Sequence, residues 1–120
     1  MEDLRLFESE FRFMTLVWDN EPVSSMKLAE LCAEKLKWKK STAFTMLKKM
    51  CEKGFARNDR AVVTSLVSRE DVWTAESERV VENTFAGSLP NFLVSFLGSK
   101  KLSREETERL IRLISEHREE

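Results

Sequence analysis

The chain has 120 residues, with 20 Lys and Arg against 21 Asp and Glu, a formal net charge of −1 and 42% hydrophobic side chains. That length and apolar content fit one compact globular domain, or a small domain with a helical appendage. No apolar run approaches bilayer-spanning length and the opening MEDLRLFESE is acidic where a signal peptide would be basic, so membrane insertion is not expected and the chain reads as cytoplasmic.

In chain order, Phe7, Phe11, Met14 and Trp18 recur at spacings of four, three and four, with Val17 widening the stripe, which predicts a first amphipathic helix ending near Asp19. Pro22 blocks its continuation, Ser24 or Ser25 is placed to cap a second helix, and Leu28, Leu31, Cys32 and Leu36 form that helix's buried face. A bundle this small needs large side chains to bury enough area, so the aromatic stripe is core rather than a ligand box.

After Lys37-Trp38-Lys39-Lys40, a third helix is expected from Ser41 to Lys53, with Ala43, Met46, Leu47, Met50 and Cys51 on its apolar face. Its other face is polar and positive, carrying Thr42, Thr45, Lys48, Lys49 and Lys53. Gly54 supplies a left-handed C-cap and Phe55 folds back on the last apolar turn. A hairpin follows, with the turn placed at Asn58-Asp59, bracketed by Arg57 and Arg60, and the β-branched run Val62-Val63-Thr64 continuing to Leu66-Val67. Helix, turn, helix and cationic hairpin in this order read as a winged helix.

A charge-rich helix face is ordinarily only a solvated face. Here the distribution argues otherwise: residues 35–60 hold nine basic side chains against two acidic ones, an excess of seven, whereas residues 1–34 hold eight carboxylates against three basic groups. Such segregation in a chain that is nearly neutral overall is the footprint of a polyanion-binding surface.

From about Glu70 the pattern is helical again, with Trp73, Val80, Val81 and Phe85 on one side until Gly87-Ser88. Leu89, Phe92, Leu93, Phe96 and Leu97 then mark a short, strongly apolar helix that opens with Pro90 and stops at Gly98. Ser103-Arg104-Glu105-Glu106 forms a capping box for a last helix bearing Leu110, Ile111, Leu113 and Ile114. Three short helices cannot enclose so many large side chains alone, and the expected cover is a second copy of the chain. Phe85, Leu89, Phe92, Leu93, Phe96, Leu97, Leu110, Ile111 and Ile114 are the candidate dimerisation residues.

Cys32 and Cys51 lie on apolar helix faces and read as buried reduced thiols; with His117 the single histidine, no metal site and no cofactor are expected. No glycine-rich phosphate loop and no nucleophile beside a base is recognisable, which argues against an enzyme.

The chain resembles the penicillinase-repressor family of bacterial transcriptional regulators, also called the BlaI/MecI/CopY family. The resemblance lies in the Glu10 to Trp18 helix ending Val-Trp, in Trp38 followed by Ser41-Thr42 and Leu47, in Lys53-Gly54-Phe55, in Leu66-Val67-Ser68-Arg69-Glu70, and in Phe85-Ala86-Gly87-Ser88 leading to an apolar helix and Leu102-Ser103. It implies a mostly α protein with a small β-hairpin: a winged helix-turn-helix over residues 1–69 and a C-terminal helical dimerisation region over 70–120. It further implies a homodimeric repressor on a palindromic double-stranded DNA operator, with a recognition helix at Lys40 to Met50.

Carried over by residue, Ser41, Thr42, Phe44, Thr45 and Lys48 become the candidates for base or near-base contacts, and Lys39, Lys40, Lys49, Arg57 and Arg60 for phosphates. Phe44 departs from the polar or basic residue often found there, and Val62-Val63-Thr64 from an often aromatic wing. A regulatory protease acts on β-lactam-responsive members before a phenylalanine, usually at Asn-Phe; the pair here is Ser95-Phe96, and Phe96 reads better as helix core. No cysteine follows Cys51, which argues against the copper-responsive pattern. The competing function class is a protein-interaction module on the same scaffold, its lysines serving solubility.

Overall fold

The computed structural model describes residues 3–119. In order these form α1 (Glu8–Asn20), β1 (Val23–Ser24), α2 (Ser25–Leu31) with a π-helical extension (Cys32–Leu36), α3 (Lys40–Glu52), β2 (Ala56–Asp59), β3 (Val62–Ser65), α4 (Arg69–Thr84), α5 (Leu89–Leu97) and α6 (Arg104–Glu116). Three antiparallel strands in the order β1-β3-β2 make a small sheet. A winged helix followed by helices is therefore the architecture. The chain divides into two compact units, Met1–Val80 and Val81–Glu120, the division falling within the sequence of α4.

The first unit is built on a core of Phe13, Met14, Val17, Leu28, Cys32, Leu47, Met50, Phe55 and Val63, all essentially inaccessible to solvent. The buried face of α1 differs from the expected stripe. It runs Glu10, Phe13, Met14, Val17, spacings of three, one and three that keep to one helix face, while Phe11 and Trp18 lie on its flank as an edge-to-face pair 5.7 Å apart. Phe7 is 59% exposed, because it is the extended N-cap residue and not part of the helix. A carboxylate within the apolar face hid that face from periodicity.

Ser24 caps α2, its hydroxyl accepting from the Lys27 N–H at 3.0 Å. The π-helical turn ends at Lys37, whose left-handed backbone (φ 60°) reverses the chain toward α3. At the other end of α3 the Phe55 N–H donates to the Met50 carbonyl at 2.9 Å and the Gly54 N–H to Cys51 at 3.1 Å, the paired bonds of a Schellman motif. Gly54 supplies the φ of 84° it requires, and the motif drops Phe55 into the core.

The hairpin tip also differs from the sequence expectation. Asn58 and Asp59 belong to β2, with Asp59 opposite Val62, so the turn residues are Arg60 and Ala61, at φ 53° and 64°. Positive φ at both central positions is the type I′ geometry, which matches the strand twist. Strand β3 stops at Ser65 rather than continuing through Leu66-Val67. The short strand β1 was not foreseen; it pairs with β3, and the Ala61 carbonyl accepts from Ser25 N–H at 2.9 Å.

In the second unit, Ser88 caps α5 through the Asn91 N–H and Ser103 caps α6 through the Glu106 N–H, both at 3.1 Å. Phe85, Phe92 and Phe96 form a run of rings with centroids 5.3 and 5.9 Å apart. Neither α5 nor α6 has a buried residue among those described: Ile111 is 59% exposed and Ile114 61%.

Candidate nucleic-acid interface

Trp38 anchors the start of α3 by stacking on Phe13, the rings 4° from parallel and 6.3 Å between centroids. The first turn of α3 has no side-chain cap and no acidic residue, while Lys39 and Lys40 add positive charge at the helix end whose dipole is already positive. Unpaired N–H groups and two ammoniums at one place make an unfavourable concentration of positive charge that an anion relieves.

Along α3, Ala43, Leu47 and Met50 face the core, so Ser41, Thr42, Phe44, Thr45 and Lys48 all lie on the exposed side. The structure brings these five together as one helix face. Thr45 donates its hydroxyl to the Ser41 carbonyl at 3.0 Å, leaving its lone pairs for a further donor. Lys48 has no carboxylate partner among the described residues.

Phe44 and Lys48, one turn apart, line a groove of about 480 Å³ between α3 and the wing, with Leu47, Cys51, Ala56, Arg57, Asn58 and Leu66 on its other walls. Phe44 is 40% exposed and so stands at the surface of this groove instead of filling the core. Arg57 stands on β2, its guanidinium 3.7 Å from Asp59, both exposed. Arg60 is at the tip of the turn.

Lys49 behaves differently from its neighbour Lys48. Its Nζ is 3.0 Å from Oε2 of Glu10, which is 1% exposed, and Lys53 Nζ lies 3.2 Å from both oxygens of the same carboxylate. Burial raises the Glu10 pKa, but the Phe7 N–H and the two ammoniums outweigh it and hold the group below its ordinary value, so Glu10 is ionised at neutral pH. Lys49, expected at a phosphate, is drawn toward the core carboxylate. Glu10 itself escaped the sequence reading, although its place three residues after the N-cap is where a carboxylate reaches back to the chain entering a helix.

Burial pushes the Cys32 thiol up to about 11 and raises that of Cys51, and both cysteines are free. Ser95 and Phe96 lie inside α5 with both side chains exposed. Among the described residues no helix is long and apolar enough to cross a membrane.

A family model described as penicillinase repressor matches residues 6–116. A penicillinase repressor of Bacillus licheniformis is 21% identical over 118 residues, which cover 95% of this chain and 92% of that relative.

Proposed function

The chain belongs to the penicillinase-repressor family, a family of DNA-binding transcriptional repressors, and from that premise we propose that it binds a palindromic operator as a cytoplasmic homodimer. Residues 1–69 act as the DNA-binding part and 70–120 as the dimerisation part. The observation that carries this reading is the exposed α3 face, where Ser41, Thr42, Thr45 and Lys48 stand beside an unneutralised helix N-terminus.

Inserted in a major groove, that face presents hydroxyls and one ammonium to base edges and the Phe44 ring to a thymine methyl. Lys39 and Lys40 at the helix start and Arg57 and Arg60 on the wing take phosphates, which fix the register without reading sequence. Lys49 is left out of this set because Glu10 holds it. The apolar faces of α5 and α6, with Leu89, Phe92, Leu93, Phe96, Leu97, Leu110, Ile111 and Ile114, none of them buried, together with Phe85 just before α5, support pairing with a second copy, and a symmetric pair presents two recognition helices. A protease acting at Ser95-Phe96 would first have to unwind α5.

The test is a comparison of Lys48→Ala with Arg60→Ala on cognate and random duplexes across a salt series. Lys48→Ala is expected to relax sequence preference, and Arg60→Ala to weaken all duplexes alike while reducing the salt slope by about one per protomer. Binding that ignores salt would point instead to an apolar protein contact.

A further inference from the structure

Glu10 is the buried charged residue among those described, and three hydrogen bonds and a further ion pair converge on it. Its Oε1 accepts from the Phe7 N–H at 2.8 Å and from Lys53 at 3.2 Å; its Oε2 accepts from Lys53 at 3.2 Å and is ion-paired with the Lys49 ammonium at 3.0 Å. Lys53 also lies over the rings of Phe7 and Phe55, 5.8 and 5.7 Å from their centroids. One carboxylate of α1 thus gathers the ammoniums of Lys49 and Lys53 at the C-terminal end of α3, and Lys48 beside them has no carboxylate partner among the described residues.

We propose that Glu10 is a positioning residue for DNA binding: it withholds Lys49 and Lys53 from the phosphates and fixes the rotation of α3, so that binding depends on Lys48 and the helix start. This rests on the DNA-binding reading. A buried carboxylate carries a desolvation cost that only its partners offset, so the ammoniums are held more firmly there than by a phosphate in solvent. Lys48 and Lys49 are adjacent in sequence, yet successive helical residues point about 100° apart, which directs one outward while the other reaches α1. Lys49 remains 53% exposed, so losing Glu10 frees it for the DNA backbone without any rebuilding of the fold.

The experiment measures binding of the full chain to a random-sequence duplex across a salt series for wild type, Glu10→Gln, Lys48→Gln and Lys49→Gln. Glutamine keeps an acceptor for the Phe7 N–H and releases the lysines. Each ammonium that gains a phosphate steepens the log-log salt slope by about 0.9. Glu10→Gln is therefore expected to bind random DNA more tightly at low salt, with a slope steeper by at least about 0.9 per protomer, and adding Lys49→Gln should take about 0.9 of that gain away. An unchanged or shallower slope in a folded Glu10→Gln protein overturns the proposal.

The lysine variants test it independently of that fold. With Glu10 intact, Lys48→Gln should lose about 0.9 per protomer on a random duplex, where its ammonium has no cognate base to meet and pairs with phosphate instead, and Lys49→Gln almost nothing; equal losses overturn the proposal. Failure of wild type to bind any duplex at low salt would overturn the DNA-binding reading and this proposal together, whereas wild-type binding with the wrong variant pattern overturns this one alone.

Discussion

Trp18 donates its indole N–H to the carbonyl oxygen of Val67 at 2.9 Å, joining the end of α1 to the segment that leaves the wing. Arg69 lies over the same ring, 5.5 Å from its centroid, and pairs with Asp19. One side chain thus sets where the wing ends and α4 begins. Trp18→Phe keeps a ring for Phe11 and Arg69 but leaves the Val67 carbonyl without its donor. The expected loss is about 1–2 kcal/mol in urea unfolding, with an unchanged m-value. No loss would mean that water replaces the indole there.

At the wing tip, Arg60 and Ala61 both hold left-handed backbone, which suits glycine or asparagine and costs an L side chain about 1 kcal/mol. Ala61→Gly removes the strain and retains the carbonyl that accepts from Ser25. The variant is expected to be more stable by about 0.5 kcal/mol after the greater chain entropy of glycine is counted. A lower urea midpoint would contradict the turn assignment.

The Glu10 carboxyl has a folded pKa below its ordinary value of 4.5, so its ion pairs add stability that is fully present above that value and is lost as pH falls through the folded pKa. Relative to wild type, Glu10→Gln should be weaker by about 1–2 kcal/mol at neutral pH, the order expected for charged hydrogen bonds. The gap should shrink as the pH drops below 4.5. Chemical unfolding at several pH values checks this, and a gap that grows in acid would contradict it.

Cys32 is wholly buried with its thiol pushed up to about 11, whereas Cys51 is half-buried on the wall of the α3 groove. Under native conditions at mildly alkaline pH an alkylating reagent should label Cys51 first, and Cys32 only as fast as the unit opens. Mass-spectrometric mapping over time decides it. Equal rates would contradict the burial of Cys32.

The residues that were legible in the sequence are those whose signal is local. Gly54-Phe55 announced a helix end, Pro90 and Ser103 announced helix starts, and the spacing of Leu47 and Met50 announced the inner face of α3. Each rests on a chemical need met within a few residues. What escaped depends on distant partners. Strand β1 has two residues, too few for alternation to register, and exists through its pairing with β3. The hairpin turn fell at Arg60-Ala61 because the register of β2 with β3 overrode the turn preference of Asn58-Asp59.

The same reason explains the site. The exposed set Ser41, Thr42, Phe44, Thr45 and Lys48 follows from helix geometry once the core face is known. That Lys49 and Lys53 turn away from this set does not follow from periodicity, since it depends on a carboxylate 43 residues earlier than Lys53. A charged residue inside an apolar stripe, as Glu10 stands among Phe13, Met14 and Val17, is the pattern that would have revealed it.

The central claim, that this chain reads a DNA sequence as a pair of recognition helices, is tested most directly by selecting bound duplexes from a random pool at near-physiological salt, using protein of measured oligomeric state. The expected result is a dimer that enriches a palindrome whose half-sites are about one helical turn apart or a multiple of it. A folded dimer that enriches no sequence would contradict the claim.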